Sequence, residues 1–355
     1  MLSILRQLPN PPLDKLGWPW TEETSSSVYE ELSSWPRISI VTPSFNQGKF
    51  IEETIRSVLL QNYPNLEYII VDGGSTDETL EVIKKYEPWI TYWVSESDRG
   101  QAHAINKGIE KSTGVIFNWL NSDDYLAQSA LYIVGKSFNQ GETNVLCGYS
   151  NRFDNNSGIT IDKKRLELCE ELEESIFCSI FRQSPTYFDF NRIKSLNGVK
   201  EEFEYVMDTE MFKRYLIKYG QENFKFVNDV IVNFRFHDIS KSIVSPERFN
   251  SERNYIIYSI LKNIGLSNWE METAHSRNGY KHFEIYDLSS LNKDKLKAYY
   301  HFYIANVRLK NNTKKYFISI LSCFNHYPHG KIKFLVQLFK KSIRHKLYYM
   351  LKHKD

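Results

Sequence analysis

Residues 38–75 run ISIVTPSFNQGKFIEETIRSVLLQNYPNLEYIIVDGGS. Two β-branched runs, each closed by Pro, Ser or Gly, flank a segment whose apolar residues recur at helical spacing. Strand, helix, strand in that order is a crossover unit, and a crossover makes its two strands parallel. A parallel sheet is covered on both faces, so its strands carry near-continuous apolar residues instead of alternating ones. The texture continues downstream: TDETLEVIKKY (76–86) and GQAHAINKGIEKS (100–112) read as helices, ITYWVSES (90–97) and GVIFNWLNS (114–122) as strands. Thr76 followed by Asp77 and Glu78 starts the second helix with acids where the helix dipole favours them. The reading is an α/β fold, Rossmann-like, with a mostly parallel central sheet and helices on both faces.

Outside this block the chain changes character. Residues 1–36 are dense in Pro and Ser and predict an irregular surface arm, pinned by Trp18, Trp20 and Trp35. From about 140 to 245 the pattern is mixed. NVLCGYSNRF reads as strand and turn, QSPTYFDF as extended, VMDTEMFKRYLIKYG as an amphipathic helix and VIVNFRFHD as another strand. This predicts a single α/β domain over 37–245, with a first half at 37–126 and a second at 127–245. Residues 246–355 read as a helical extension. Its tail carries Ile332, Leu335, Phe339, Ile343 and Leu347 on one stripe beside Lys333, Lys340, Lys341, Arg344 and Lys346. Such a basic amphipathic helix over 330–355 can lie on an anionic membrane or pack its apolar stripe on the domain.

Composition narrows the function classes. With 45 basic and 43 acidic residues in 355, the net charge of +2 gives no global field for nucleic acid. The four cysteines form no C-x-x-C pair, so neither a metal knuckle nor a disulfide framework is expected, and a reducing cytoplasm fits. No segment reaches the roughly 18 to 20 apolar residues of a membrane span. No G-x-G-x-x-G follows the first strand, which argues against a dinucleotide oxidoreductase.

In a parallel sheet, ligands bind beyond the carboxyl ends of the strands. Those ends read Thr42–Asn46, Asp72–Asp77, Glu96–Gln101 and Asn121–Asp124, all rich in hydrogen-bonding groups. Each alone has a plain reading as a turn or a helix cap. The adjacent carboxylates of Asp123 and Asp124 repel each other and cost desolvation energy unless a cation or a set of donors compensates. Magnesium takes one or two protein carboxylates and fills its shell with phosphate oxygens and water, so a short acidic pair suits a nucleoside diphosphate site.

These three segments, ISIVTPSFNQGKFIEETIRSVLLQNYPNLEYIIVDGGSTDET, SESDRGQAHAINKG and NWLNSDDYL, together resemble the nucleotide-sugar-binding half of a family 2 glycosyltransferase of GT-A fold. The resemblance implies inverting transfer of a sugar from a nucleoside diphosphate donor, a UDP-sugar by preference, to an acceptor hydroxyl with Mg2+ or Mn2+. It places Pro43, Ser44 and Asn46 in the base and ribose pocket and has Asp72 accept a bond from the base. Ser75 joins the donor-binding set, Asp98 and Arg99 sit beside the nucleotide, and Gln101 faces the donor. Asp123 contacts the ribose or the metal shell, and Asp124 is the metal ligand proper. His103 stands where similar sequences often carry Asp.

YVMDTEMFKRY resembles the motif that supplies the base. It points to Asp208, with Glu210 second and an N-cap role for Asp208 as the structural alternative. In FRQSPTYF, Gln183, Pro185 and Thr186 resemble an acceptor-pocket floor. In FRFHDISKS, His237 would reach the metal or diphosphate and Lys241 would offset phosphate charge, with Ser240 and Ser242 as donors or plain loop residues. The implied partners are a nucleotide-sugar donor and a saccharide or lipid-linked acceptor in bacterial envelope polysaccharide assembly. The expected location is cytoplasmic or peripheral on the inner membrane face. A non-catalytic nucleotide-sugar-binding or scaffold protein is the rival from another class.

Overall fold

The computed structural model describes residues 3–238, 245–266 and 286–309. Ser240, Lys241, Ser242 and the basic tail at 330–355 lie outside the described residues. Among those described, four strands form the parallel part of the sheet: β1 (Ile38–Ser44), β2 (Leu66–Asp72), β3 (Tyr92–Ser95) and β4 (Ile116–Trp119). The crossovers between them are α1 (Gly48–Leu59), α2 (Thr79–Tyr86) and α3 (Gln101–Lys111). The second helix thus begins three residues later than Thr76, because Asp77 is taken up in the turn before it. Further along come β5 (Tyr125–Leu126), α4 (Ala130–Asn139), β6 (Val145–Asp154), β7 (Thr160–Lys164) and α5 (Leu172–Cys178). Then follow β8 (Thr186–Asp189), α6 (Phe190–Ser195), α7 (Met207–Tyr219), β9 (Phe224–Phe236), α8 (Pro246–Asn263) and α9 (Lys293–Leu309).

The strand order is β3-β2-β1-β4-β8-β6-β9-β5, with β7 paired to β6. The parallel pattern holds as far as β4. Beyond it β8 is antiparallel to β4 and to β6, β9 runs parallel to β6, and β5 pairs antiparallel with β9. In β1 and β2 the residues alternate between two buried faces. Ile38, Ile40, Tyr68 and Ile70 join Ile51, Ile55 and Val58 of α1 and Leu131 and Val134 of α4 in one apolar cluster. Val41 meets α3 at Gly108, where a β-carbon would lie 2.3 Å from its Cγ1, so the helix approaches the sheet through a residue without a side chain. Both faces being covered explains the unbroken apolar runs.

The register aligns the strand ends. β1 and β2 pair from Ile38 with Leu66 to Ser44 with Asp72, and β3 closes with Ser95 opposite Asp72. β4 pairs Trp119 with Val41, so the chain beyond it emerges at the same edge.

Residues 3–167, 180–215 and 221–252 form one compact unit, and 168–179, 216–220 and the described residues from 253 onward form another. In the first unit the N-terminal segment is strapped to α1. Arg56 is fully buried and donates to the carbonyls of Pro9, Pro19 and Trp20 and to the Tyr86 hydroxyl. Trp18 donates to the Leu126 carbonyl, and Trp20 and Trp35 are buried. A buried guanidinium is tolerated only with such acceptors. In the second unit the Asn292 amide, just before α9, donates to Glu173 of α5, and Lys295 pairs with Glu171 at 2.5 Å.

Candidate active site

The loops after β1 and β2 are latched to each other. The Asn46 amide donates to Ser75 Oγ at 2.7 Å, and Asn46 Oδ1 accepts from the Thr76 amide at 2.9 Å. The Gln47 amide donates to Thr79 Oγ1 and the Gly48 amide to Asp77 Oδ2, so the second loop supplies acceptors to the free amides that open α1. Burial would raise the Asp77 carboxyl, yet hydrogen bonds from Thr79 and Gly48 outweigh it and hold Asp77 below the usual range. Asp72 is fully buried and accepts four bonds from its own surroundings: the Gly74 and Ser75 amides and the Ser75 and Ser95 hydroxyls. Its carboxylate is therefore engaged in shaping the loop. Pro43 sits opposite Val71 in the ladder, while Ser44, buried at the strand end, has a hydroxyl with no hydrogen-bond partner among the described residues. A buried orphan hydroxyl at a ligand edge is a group awaiting a partner.

After β3, Asp98 Oδ1 accepts from the Gly100 amide. A β-carbon at Gly73 would lie 2.8 Å from Asp98 Oδ2, so the Asp98 carboxylate packs directly against Gly73 where the second and third loops meet. Arg99 forks onto Glu201 at 2.7 and 2.9 Å but is 67% exposed, which leaves it movable. His103 Nδ1 accepts from the Arg99 amide, closing the turn into α3. Gln101 donates to Asn121 Oδ1 at 2.8 Å and so touches the fourth strand end.

The two adjacent acids have opposite surroundings. Asp124 is 1% exposed; its Oδ1 accepts from the Arg235 amide at 2.9 Å, and its Oδ2 has only a long 3.4 Å contact from Ser184. Burial first, and then the neighbouring Asp123 charge, push its carboxyl well above the ordinary value. Asp123, with a quarter of its side chain exposed, meets His237 Nε2 at 2.9 Å. The accessible carboxylate is thus that of Asp123, and Asp124, expected from the sequence as the metal ligand, lies buried beneath it. The physical reason is β9: its backbone at Arg235 takes Asp124 as an acceptor and turns that side chain inward.

Arg235 itself was passed over in the sequence. It is buried; Nε donates to the Asp123 carbonyl at 2.8 Å, Nη1 to Asn155 Oδ1 at 2.7 Å and Nη2 to Glu53 Oε2 at 2.5 Å. The rings of Phe50, Tyr125 and Phe153 surround the guanidinium at 5.0 to 5.6 Å. The available signal is its place two residues before His237 in the FRFHD segment.

In the second half of the domain, α7 begins at Met207, so Asp208 lies in its first turn and not at the cap. It is half-buried, and its Oδ1 accepts from the Thr209 amide at 2.6 Å. Glu210 is fully buried with both oxygens on Arg214 Nε at 2.8 and 2.9 Å, a structural ion pair at i, i+4. Gln183 donates to Asn118 Oδ1 and the Trp119 carbonyl, and Thr186 to the Arg182 carbonyl. The Pro185 carbonyl accepts from Gly148.

A divalent cation would find few ligands here. Among the described residues no cluster of three or more His, Cys, Asp or Glu side chains could hold one. Asp123 Oδ2, partly exposed, and the buried His237 Nε2 are two candidate donors 2.9 Å apart, which fits an ion that completes its shell with phosphate oxygens and water. Among the described residues no helix is long and apolar enough to cross a membrane.

Residues 39–203 match the model of Glycosyl transferase family 2. An uncharacterized glycosyltransferase of Rickettsia prowazekii is 29% identical over 58% of this chain and 60% of its own length. Chondroitin synthase of Pasteurella multocida is 26% identical over 67% of this chain and 24% of its own. The chain therefore spans less than two thirds of these curated relatives. Among solved structures, S. aureus TarS 1-349 in complex with UDP-GlcNAc superposes with a TM-score of 0.53 at 18% identity, covering 83% of this chain and 92% of that one.

Proposed function

We propose, for a chain that carries a family 2 glycosyltransferase domain of GT-A fold over residues 39–203, that it transfers a sugar with inversion from a UDP-sugar to the hydroxyl of a saccharide or lipid-linked glycan. The observation that carries this reading is the convergence of four strand ends on one edge, with a partly exposed Asp123 paired there to a buried His237 above a buried Asp124. Pro43 and Ser44 at the end of β1, with Asn46 and Ser75 of the latched loops, line the nucleoside side. Asp72 and Asp98 act by holding those loops in shape, and Arg99 and Gln101 flank the donor.

Asp123 and His237 would hold Mg2+ or Mn2+, which when bound neutralises charge on the departing diphosphate. Asp124 supports them from below, a reassignment that follows its burial. Asp208 takes the proton of the acceptor hydroxyl as the new bond forms on the face opposite the leaving diphosphate. UDP-GlcNAc is the first donor to try, because the TarS structure of similar fold holds it. In such an assay Asp208→Asn lowers acceptor-dependent release of UDP by about 10³-fold, with UDP affinity by calorimetry unaltered. Turnover within tenfold of wild type would remove Asp208 as the base.

A further inference from the structure

We infer that Arg235 is a positioning residue for the Asp123–His237 pair, a clamp that fixes the metal-facing acid from behind; the inference rests on the function proposed above. Each of the three guanidinium nitrogens already donates to a protein acceptor, and each acceptor belongs to a different segment: the Asp123 carbonyl, Asn155 after β6, and Glu53 on α1. Side-chain exposure at the Arg235–Glu53 contact is only 8% and 18%, and aromatic rings surround the charge. Arg235 is therefore committed to holding the chain instead of meeting a phosphate from solvent.

The same residue grips both acids by separate groups. Its amide donates to the Asp124 carboxylate while its side chain donates to the Asp123 carbonyl, so the turn is fastened to β9 at two points. His237, the first residue past β9, then meets Asp123 Oδ2 at 2.9 Å and lies 4.8 Å from the Phe50 ring, centroid to centroid. A contact of that length depends on the register between turn and strand, and Arg235 sets that register. Lysine would keep the charge, but one ammonium cannot present three coplanar donors to three separate acceptors.

The test is calorimetric titration of UDP into the full chain with and without Mn2+. For Arg235→Lys the gain in UDP affinity conferred by Mn2+ falls at least tenfold, while affinity without metal stays within twofold of wild type. A full Mn2+ gain in Arg235→Lys, or an equal loss with and without metal, overturns the inference, since a loosened fold would weaken both. Should Arg235→Lys fail to fold, Asn155→Ala and Glu53→Ala each remove one contact and are expected to lower the Mn2+ gain about threefold; an unchanged gain in both overturns it. A wild-type chain that binds UDP equally with and without Mn2+ also overturns it and leaves the transferase reading standing. A chain that binds no UDP at all overturns both.

Discussion

Two carboxylates are buried at opposite edges of the same sheet, and they are treated in opposite ways. Glu67, at the start of β2, is 3% exposed and accepts from Ser39 Oγ, the Thr113 amide, Thr113 Oγ1 and Arg37 Nη2 at 2.5 to 2.8 Å. Burial pushes its carboxyl up, but the bonds from Ser39 and Thr113 and the Arg37 charge more than offset this and leave it below the ordinary value. Asp124, at the far edge, is buried as deeply, receives one good donor and one long one, and has a second acid beside it, so its carboxyl is pushed well above the ordinary value. Burial is common to both. The number of donors and the sign of the neighbour separate an acid that holds the fold from one that leaves negative charge uncompensated where a ligand would sit.

The larger expected effect comes from disturbing the satisfied acid. Glu67→Gln turns an amide donor toward groups that are themselves donors and lowers stability by about 2 to 3 kcal/mol at pH 7, read as a drop in urea midpoint at constant m-value. Because the folded-state value of Glu67 is lowered, this advantage of the wild type is present above the ordinary value of 4.5 and fades as pH falls through the folded value. An unchanged midpoint would mean that the two edges do not differ as described.

The smaller effect has the opposite sign. Asp124→Asn keeps the acceptor for the Arg235 amide and removes the repulsion from Asp123, so stability at pH 8 equals or exceeds wild type by about 1 kcal/mol. For an acid whose folded value is raised, ionisation costs stability as pH climbs from the ordinary 3.8 through the folded value. The gap between Asp124→Asn and wild type therefore widens from pH 5 to pH 8. A gap that narrows over that range would show that Asp124 is already compensated.

Much of the ligand edge was legible because it follows from local pattern. β-branched runs closed by Pro, Gly and Ser located β1 to β4, and a parallel sheet gathers such strand ends on one edge. The acids at 123 and 124 could be found but not ranked, since which of two neighbours turns inward depends on a backbone amide 111 positions away in β9. For the same reason Arg235 stayed hidden: its acceptors come from α1, the 123–124 turn and the segment after β6, none adjacent in sequence. Glu210 was separable in principle, because Arg214 stands four residues on in the same helix. The mixed half of the sheet was less legible, as β6, β8 and β9 pair across long separations that no short-range pattern fixes.

The central claim is that the exposed acid, Asp123, and not the buried one carries the contact to metal and diphosphate. UDP affinity of Asp123→Asn, measured by calorimetry with and without Mn2+ beside wild type, tests it directly. The account predicts that Mn2+ tightens UDP binding at least tenfold in wild type and not at all in Asp123→Asn, with metal-free affinity equal in the two. A full Mn2+ gain in Asp123→Asn would contradict it.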